Sequence, residues 1–244
     1  MNKRADIPTK NEPEGDAGEL LLVNKPAGWT SFDVVHRVRG VLGVRKVGHA
    51  GTLDPLATGL LIIGTGRKTR ELDQYKGLEK EYNVVMTLGA QTASLDTETP
   101  LVKQSECEGI DREAICSAAR RFIGYQTQIP PMFSAVKVKG KRLYKYARRG
   151  QGVQRPARQV FIRSIEITDV DIPDVRMTVV CSKGTYIRSL VDDIGRELGC
   201  GAFMRSLVRK RIGHFLLRNA VTIEELECRS TSHPKHSYED RPVV

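Results

Sequence analysis

Long apolar runs are absent from this sequence of 244 residues, and none approaches the ~20 residues that span a bilayer. Residues 1–18 are polar and charged, and they lack the apolar centre of a secretory signal peptide. We therefore expect a cytoplasmic protein with no membrane partner. Since 40% of the residues are hydrophobic, the chain can still bury a sizeable core.

The five cysteines form no Cys-x-x-Cys pair, and none lies near a histidine at the spacing of metal ligands. An odd number without a pattern favours reduced thiols in a cytosolic protein. His233 and His236 are spaced like half of a metal site, but without a second pair we assign them to a solvated tail. The chain also lacks a Walker loop and a dinucleotide fingerprint. We expect neither a metal nor a cofactor.

Acidic residues are missing from a long central stretch, with no Asp or Glu between Glu113 and Glu166. Twelve arginines and lysines stand in this gap, and Tyr144 and Tyr146 lie among them. With a net charge of +10, the chain is expected to bind a polyanion, nucleic acid first and an anionic membrane surface second. Cations would displace counterions from phosphates, and aromatic rings would stack on bases. The alternative is a solvated basic face without a partner.

A second basic group lies near the C-terminus, where alternation along a strand would place several of its members on one side. It contains Arg205, Arg209, Lys210, Arg211, His214 and Arg218.

Apolar periodicity predicts strands and helices in irregular order, which favours an α+β fold with a long, mixed, mostly antiparallel sheet and flanking helices. The predicted strands are 19–23, 60–63, 81–88, 134–138, 159–167, 175–181 and 203–212. The predicted helices are 31–42, 111–123, 185–198 and a short one that begins at Thr222. Residues 19–228 are expected to form one domain, between disordered tails at 1–18 and 229–244.

A single carboxylate stands out in a glycine-rich segment that leads into the apolar run 60–63. Because proline disfavours a helical conformation in the residue before it, Asp54 should be extended. A lone aspartate on a stiff loop beside a sheet suits a nucleophile or a base, although Asp-Pro and glycine are also ordinary turn residues. The segment reads Gly48-His49-Ala50-Gly51-Thr52-Leu53-Asp54-Pro55-Leu56-Ala57-Thr58-Gly59.

This string of twelve residues resembles the signature of the TruB family of pseudouridine synthases, in which the aspartate is catalytic. The resemblance implies a pseudouridine synthase fold with a central RNA-binding cleft. It extends over about residues 19–227 through further short motifs. One of them, Lys25-Pro26-x-Gly28-x-x-Ser31, is equally well explained as a plain strand-to-helix turn.

The resemblance assigns Asp54, Arg188 and Tyr82 to catalysis, and His49, Tyr82, Tyr186 and Leu207 to substrate binding. It pairs Arg188 with Asp54, which would explain a cation in the first turn of a helix, where the helix dipole disfavours it. It also implies that Tyr82 and Leu207 enclose a flipped uridine, with His49 beside it. Without the resemblance, Tyr82 would be read as sheet packing and Arg188 as a surface residue.

The activity implied by the resemblance is the isomerisation of uridine 55 in the T arm of transfer RNA to pseudouridine. The enzyme flips the uridine out of its stack and breaks the bond between the ribose and N1 of the base. It then joins the ribose to C5 of the same ring, without a cofactor. Asp54 would attack the sugar, attack the base or remove a ribose proton. The basic segment 130–158 corresponds to an insertion that grips the RNA stem-loop. Asp96 could orient polar groups near the site or serve as a turn residue.

Two alternatives are a guide-RNA-directed synthase and a non-catalytic RNA-binding or RNA-folding protein. The guide-directed branch carries an additional C-terminal RNA-binding domain, for which the roughly 30 residues after Leu217 are too few. We therefore expect a monomer that acts on transfer RNA without a guide RNA. Asp54 disfavours the non-catalytic protein, because a pure binder of a polyanion does not need a carboxylate there.

Overall fold

The computed structural model describes residues 17–138 and 140–232. Its strands, in chain order, are β1 (Leu20–Lys25), β2 (Val47–His49), β3 (Thr58–Thr65), β4 (Lys80–Leu88), β5 (Ala90–Thr92), β6 (Leu101–Gln104), β7 (Gly124–Gln128), β8 (Lys137–Val138), β9 (Lys141–Arg142), β10 (Arg158–Asp171), β11 (Asp174–Cys181), β12 (Ala202–Ile212) and β13 (Phe215–Leu216). Its α-helices are α1 (Ser31–Leu42), α2 (Leu72–Lys76), α3 (Arg112–Arg120), α4 (Leu143–Ala147), α5 (Ile187–Glu197) and α6 (Ile223–Ser232).

One large sheet dominates the molecule, with the strand order β1-β3-β12-β4-β11-β10-β7. β2 adds to β3, and β13 adds to β12. Within this sheet, β12 runs parallel to β3, and the other pairs of neighbouring strands are antiparallel. The α+β class and the mixed, mostly antiparallel sheet are thereby confirmed.

The helices cover different parts of the sheet. α3 and α5 pack on the central strands β4, β10, β11 and β12, where they enclose the largest apolar cluster. α1 and α6 pack on β1 and β3 in a second cluster. Alternate residues of β3 enter this cluster and a third one that includes Leu72 of α2, so both faces of β3 are covered. This two-sided burial explains the unbroken apolar run 60–63.

Helix starts follow the expected capping chemistry. Thr30 caps α1 and accepts a hydrogen bond from the backbone of Asp33, whose carboxylate accepts one in return. Asp111 caps α3. Thr222 and Glu225 form the same reciprocal arrangement at the start of α6.

The predicted strand 134–138 is wrong except for its last two residues, which form β8 and pair with β9 outside the main sheet. The carbonyls of Ser134 and Val136 instead accept hydrogen bonds from the first residues of α4. The predicted helix 111–123 ends at Arg120, because the next three residues turn back with short-range hydrogen bonds. The third long helix begins at Ile187 instead of residue 185, after the extended Tyr186.

The edge strand β7 was missed because its sequence is polar, and the short α2 was missed because it is only five residues long. The tail predicted from residue 229 also starts too early, since residues 229–232 belong to α6. His233, His236 and the other residues of both predicted tails, except 17, 18 and 229–232, lie outside the described residues. Across the described part of the chain, the helices are all too short or too polar to cross a membrane.

Candidate active site

A cavity of about 660 Å³ opens where the central strands meet the start of α5. Asp54, Tyr82, Tyr186 and Leu207 all line this cavity, although they come from four separate segments of the chain. Four of the sequence-predicted site residues are therefore brought together around one space. At this volume the cavity falls within the usual range for a ligand site.

Asp54 and Arg188 form an ion pair, with 3.0 Å between Oδ2 of Asp54 and Nε of Arg188. The predicted contact between these two residues is confirmed. The Arg188 side chain is 3% exposed and that of Asp54 is 32% exposed, so a molecule in the cavity can reach the carboxylate while the guanidinium stays shielded. Within the described residues this Nε makes no aligned hydrogen bond, so the attraction is mainly Coulombic.

The Arg188 guanidinium is fixed by three further groups. It donates to the carbonyls of Ser94 and Phe133, and its Nη1 lies 3.3 Å from Oδ2 of the buried Asp96. These contacts offset the unfavourable position of a cation in the first turn of α5. The sequence left two roles open for Asp96, and its contact with Arg188 includes it in the charge network of the site.

The segment that presents Asp96 to Arg188 has a strained backbone. Leu95, which lies between Ser94 and Asp96, has φ 64°, in the left-handed region that side chains disfavour. Its amide donates to Thr92, its carbonyl accepts from Met204, and the Asp96 carboxylate accepts from Glu98. Such strain costs about 1–3 kcal/mol and is characteristic of functional sites. A sequence pattern does not reveal it, since nothing marks Leu95 as a turn residue.

The pKa of the Asp54 carboxyl is raised above its ordinary value. Burial is the main cause, Arg188 opposes the rise, and Asp96 adds to it through like-charge repulsion. Deprotonation of Asp54 therefore depends on how far Arg188 offsets burial and the charge of the second aspartate.

The Asp54 loop, residues 50–57, is held from one side by the motif that precedes α1. The Ser31 hydroxyl accepts a hydrogen bond from the Leu53 amide at 2.9 Å, and the Lys25 ammonium donates to the Pro55 carbonyl at 3.0 Å. Lys25 is fully buried and also donates to two carbonyls of its own turn, and burial lowers its pKa to about 8. The motif is thus more than a plain turn, because it positions the loop that carries Asp54.

Arg209 holds the same loop from the opposite side. Its buried guanidinium donates to the carbonyls of Gly51, Thr52 and Leu60. Arg209 belongs to the second basic group of the sequence, but it is buried, with 1% exposed. Two other members of that group are engaged in ion pairs: Arg205 with Asp174, and Arg211 with Glu79 and Glu81.

Tyr82 and Leu207 lie on the neighbouring strands β4 and β12. Both are largely buried, and both contribute to the cavity wall. Tyr186 lies at the start of α5, where Gln128 exchanges two hydrogen bonds with its backbone and Arg158 lies over its ring at 5.0 Å. An aromatic ring with a cation on its face suits contact with RNA.

His49 lies beside the cavity on β2, opposite Ile63, and is not part of the cavity wall. Burial lowers its pKa, and its Nδ1 has no hydrogen-bond partner among the described residues. A neutral imidazole with a free nitrogen could bind a polar group of a ligand. Its predicted role in substrate binding stays a prediction.

Four cations are buried around the cavity, against the two carboxylates of Asp54 and Asp96. They are Lys25, Lys80, Arg188 and Arg209. The basic segment 130–158 adjoins the same space, since Ser134, Ala135 and Val136 line it. An excess of positive charge around one carboxylate, together with apolar walls, is suited to a polyanion that presents a flat ring.

Two family models match the chain. The model of the TruB family pseudouridylate synthase (N terminal domain) matches residues 39–187. The model of the tRNA pseudouridylate synthase B C-terminal domain matches residues 188–241. The boundary between them falls directly before Arg188, so Asp54 lies in the first match and its ion-pair partner in the second.

Curated relatives include proteins named tRNA pseudouridine synthase B. The one from Chloroherpeton thalassium is 46% identical over 214 residues, which cover 86% of this chain and 89% of the relative. The one from Phocaeicola vulgatus is 46% identical over 85% of this chain and 91% of the relative. The one from Thermobifida fusca is 43% identical over 89% of this chain and 77% of the relative.

Solved structures with a similar fold include a chain of a Cbf5-Nop10-Gar1 complex, with a TM-score of 0.67 and 29% identity. A chain of an H/ACA RNP bound to a substrate RNA containing 2′-deoxyuridine gives a TM-score of 0.65 and 27% identity. The matches cover 86% of this chain but only 53% and 52% of those chains. The family models, the relatives and the cavity around Asp54 agree, and the chain belongs to the TruB family of pseudouridine synthases.

Proposed function

We propose that this protein isomerises uridine 55 in the T arm of transfer RNA to pseudouridine. The observation that carries the proposal is the ion pair of Asp54 and Arg188 on the wall of a cavity lined by Tyr82 and Leu207. The relatives named tRNA pseudouridine synthase B support transfer RNA as the substrate, because they match most of the chain at 43–46% identity.

The reaction needs a uridine outside the base stack, which costs a few kcal/mol. Basic groups that hold the backbone and an aromatic ring that receives the base offset this cost. In this proposal, Tyr82 and Leu207 contact the flipped base, Tyr186 binds next to it and His49 holds a neighbouring polar group.

Asp54 supplies the carboxylate that starts the cleavage of the bond between N1 and the ribose. Arg188 favours its ionised form and fixes its direction, since an opposite charge at 3.0 Å stabilises a carboxylate. The ribose is then joined to C5 of the same ring, and nothing is added to the substrate. The residues around the cavity act by orientation, charge and exclusion of water.

The basic segment 130–158 is proposed to grip the stem-loop of the RNA. It contains the hairpin of β8 and β9 and the helix α4, and its exposed cations include Lys141, Arg142 and Arg149. We further propose that residues 19–228 act as one catalytic domain, in a monomer that needs no guide RNA. The similar chains in the Cbf5-Nop10-Gar1 complex and the H/ACA RNP favour a guide-directed synthase as the second candidate.

Substitution of Asp54 by Asn tests the proposal directly. Asp54→Asn keeps the shape of the side chain but removes the negative charge, so we expect unchanged RNA affinity and a rate at least roughly 10²-fold lower. A transfer RNA transcript is incubated with the protein alone, and pseudouridine is mapped along the transcript.

Wild-type protein should modify uridine 55 without added guide RNA. Full conversion by Asp54→Asn would exclude the assigned chemistry. Product that forms only when a guide RNA is supplied would instead favour the second candidate. A wild-type protein that binds the transcript without forming product would identify a non-catalytic RNA-binding protein.

A further inference from the structure

Arg209 is a buried cation without an acidic partner. It is 1% exposed, and within the described part of the chain no carboxylate forms an ion pair with it. An isolated charge in a protein interior is costly unless every donor is satisfied. Its neighbours on β12 show the contrast, because Arg205 and Arg211 lie further out and both pair with carboxylates.

The guanidinium N–H groups instead donate hydrogen bonds to backbone carbonyls near Asp54. Nε donates to the Leu60 carbonyl at 2.7 Å, Nη2 to Gly51 at 3.2 Å and Nη1 to Thr52 at 3.4 Å. Two of these carbonyls belong to the Asp54 loop, and the third belongs to β3, into which the loop leads. Arg209 therefore connects the loop that carries Asp54 to the central sheet.

Arg209 is also a cross-strand neighbour of Tyr82. Arg209 and Tyr82 are directly opposite each other on the antiparallel strands β12 and β4, so their side chains emerge on the same face. Both residues also line the cavity, and the positive charge of Arg209 opposes the rise in the pKa of the Tyr82 phenol.

A close approach of two backbones fixes this arrangement. Arg209 pairs in parallel with Gly59, and a Cβ at Gly59 would lie 2.4 Å from the Arg209 carbonyl oxygen and 2.7 Å from its nitrogen. Gly59 also has φ +102°, which side chains rarely adopt. Only glycine at this position lets β12 approach β3 closely enough for the guanidinium to reach the loop.

We infer that Arg209 is a positioning residue of the active site, whose guanidinium couples the Asp54 loop to the phenol of Tyr82 and acts on the reaction through that phenol. The inference rests on the proposed function, in which Tyr82 contacts the flipped uridine. A guanidinium N–H directed at the phenol oxygen would fix the direction of the hydroxyl hydrogen and stabilise negative charge on the oxygen. Burial raises the pKa of the Tyr82 phenol, and Arg209 opposes that rise.

The first experiment reads the Tyr82 phenol in the free protein by NMR, with tyrosine labelled at the ring carbon that bears the hydroxyl. Tyr82→Phe identifies the Tyr82 resonance, and the pKa of the phenol is then measured in wild type, Arg209→Lys and Arg211→Lys. Lysine cannot maintain the planar set of donors, so Arg209→Lys should raise the pKa of Tyr82. Arg211→Lys is the matched control, two residues further along the strand, and should leave it unchanged.

The second readout is the rate of product formation. Arg209→Lys should lower kcat at least roughly tenfold with KM within about twofold of wild type, because a group that acts in the chemical step affects kcat. Arg211→Lys should retain both constants. A Tyr82 pKa that is unchanged in Arg209→Lys, or shifted equally in Arg211→Lys, would overturn the inference.

If Arg209→Lys does not fold, the contact is read from the other side. The Nη–H resonances of Arg209 are observed with ¹⁵N-labelled arginine in wild type, Tyr82→Phe and Tyr125→Phe, the last being an exposed tyrosine. A shift confined to Tyr82→Phe supports the coupling, and no shift in Tyr82→Phe refutes it. Both NMR measurements are made without RNA, so their failure leaves pseudouridine formation standing, and loss of the proposed function does not alter them.

Discussion

Arg188 lies between two aspartates, and this arrangement governs the charge state of the site. One carboxylate, Asp54, faces the cavity, and the other, Asp96, is buried behind the arginine. Both carboxylates interact with the same guanidinium, and the negative charge of Asp96 makes ionisation of Asp54 less favourable. The rate of a reaction that uses ionised Asp54 must therefore fall on acidification at a pH above the ordinary range for an aspartate.

Asp96→Asn separates the electrostatic role of Asp96 from its shape. Removal of the negative charge lowers the pKa of Asp54, because one of the causes that raise it is lost. Since the reaction needs the ionised form, the acid limb of the profile of rate against pH should move to lower pH. We would measure single-turnover pseudouridine formation across the acid range for wild type and Asp96→Asn.

Glu98→Gln is the control for this pH shift. Glu98 lies two residues away and pairs with Arg148 at 3.7 Å, so its loss should leave the acid limb in place. An acid limb of Asp96→Asn that coincides with wild type, or lies at higher pH, would contradict the charge network described for Arg188.

The sequence was sufficient to predict Asp54, its contact with Arg188, and Tyr82 and Leu207 as wall residues, because each lies in a recognisable motif. Lys25, Asp96 and Arg209 were undervalued for a common physical reason. Their roles arise from burial and from contacts to carbonyls or to residues far away in the chain, which residue type and spacing do not encode. A lysine or arginine at such a position looks the same in sequence as one on the surface.

The helices illustrate how tertiary contacts overrule local preference. Gly195 lies inside α5, where glycine weakens a helix by about 1 kcal/mol relative to alanine. A Cβ there would lie 2.2 Å from the Ala202 nitrogen and 2.5 Å from its Cβ, so glycine is required for α5 to approach the start of β12. Gly40 lies inside α1, and a Cβ there would meet nothing within 4 Å.

We expect opposite effects of the same substitution at these two glycines. Gly40→Ala should increase the free energy of unfolding by about 0.5–1 kcal/mol, since only the helix preference changes. Gly195→Ala should decrease it by about 1–3 kcal/mol, because the clash is with backbone that cannot move away. Urea denaturation of the two variants and wild type measures both values.

Gly195→Ala should also lower the rate of pseudouridine formation, because α5 carries Arg188 at its first turn. Gly40→Ala should not change it. Equal stabilisation by both alanines would show that α5 does not need its close contact with β12.

The long strands and helices were predictable from the sequence, and the short ones were not. Strands 81–88, 175–181 and 203–212 have clear alternation because one face of the sheet is buried beneath α3 and α5. Segment 134–138 has a similar apolar content, but its carbonyls hold α4 and only two of its residues form a strand. The choice between these outcomes depends on what lies next to the segment in three dimensions.

The charge of the whole molecule is divided unevenly between paired and unpaired cations. Several arginines outside residues 130–158 form ion pairs, as Arg121 does with Glu197 at 2.7 Å and Arg163 does with Glu79. Segment 130–158 contains no acidic residue of its own, and its exposed cations include Lys141 and Arg142. Within the described residues, Arg148 of this segment pairs with Glu98, whereas no carboxylate pairs with Lys141 or Arg142, and residues 134–136 line the cavity.

This uneven distribution predicts which cations hold RNA. Each phosphate contact contributes about 0.7–0.9 to the slope of log affinity against log salt concentration, because neutralised phosphates release counterions. Lys141→Gln should weaken binding of a T-arm stem-loop and reduce the steepness of that slope by about 1. Arg121→Gln is the control, because it removes the same charge from the same acid-free stretch. Arg121 lies outside 130–158 and is paired with Glu197, so the salt slope of this variant should match that of wild type. Affinities measured by fluorescence anisotropy at a series of salt concentrations distinguish the two. If Arg121→Gln and Lys141→Gln reduced the slope equally, RNA attraction would come from the net charge of the molecule, and segment 130–158 would not grip the stem-loop.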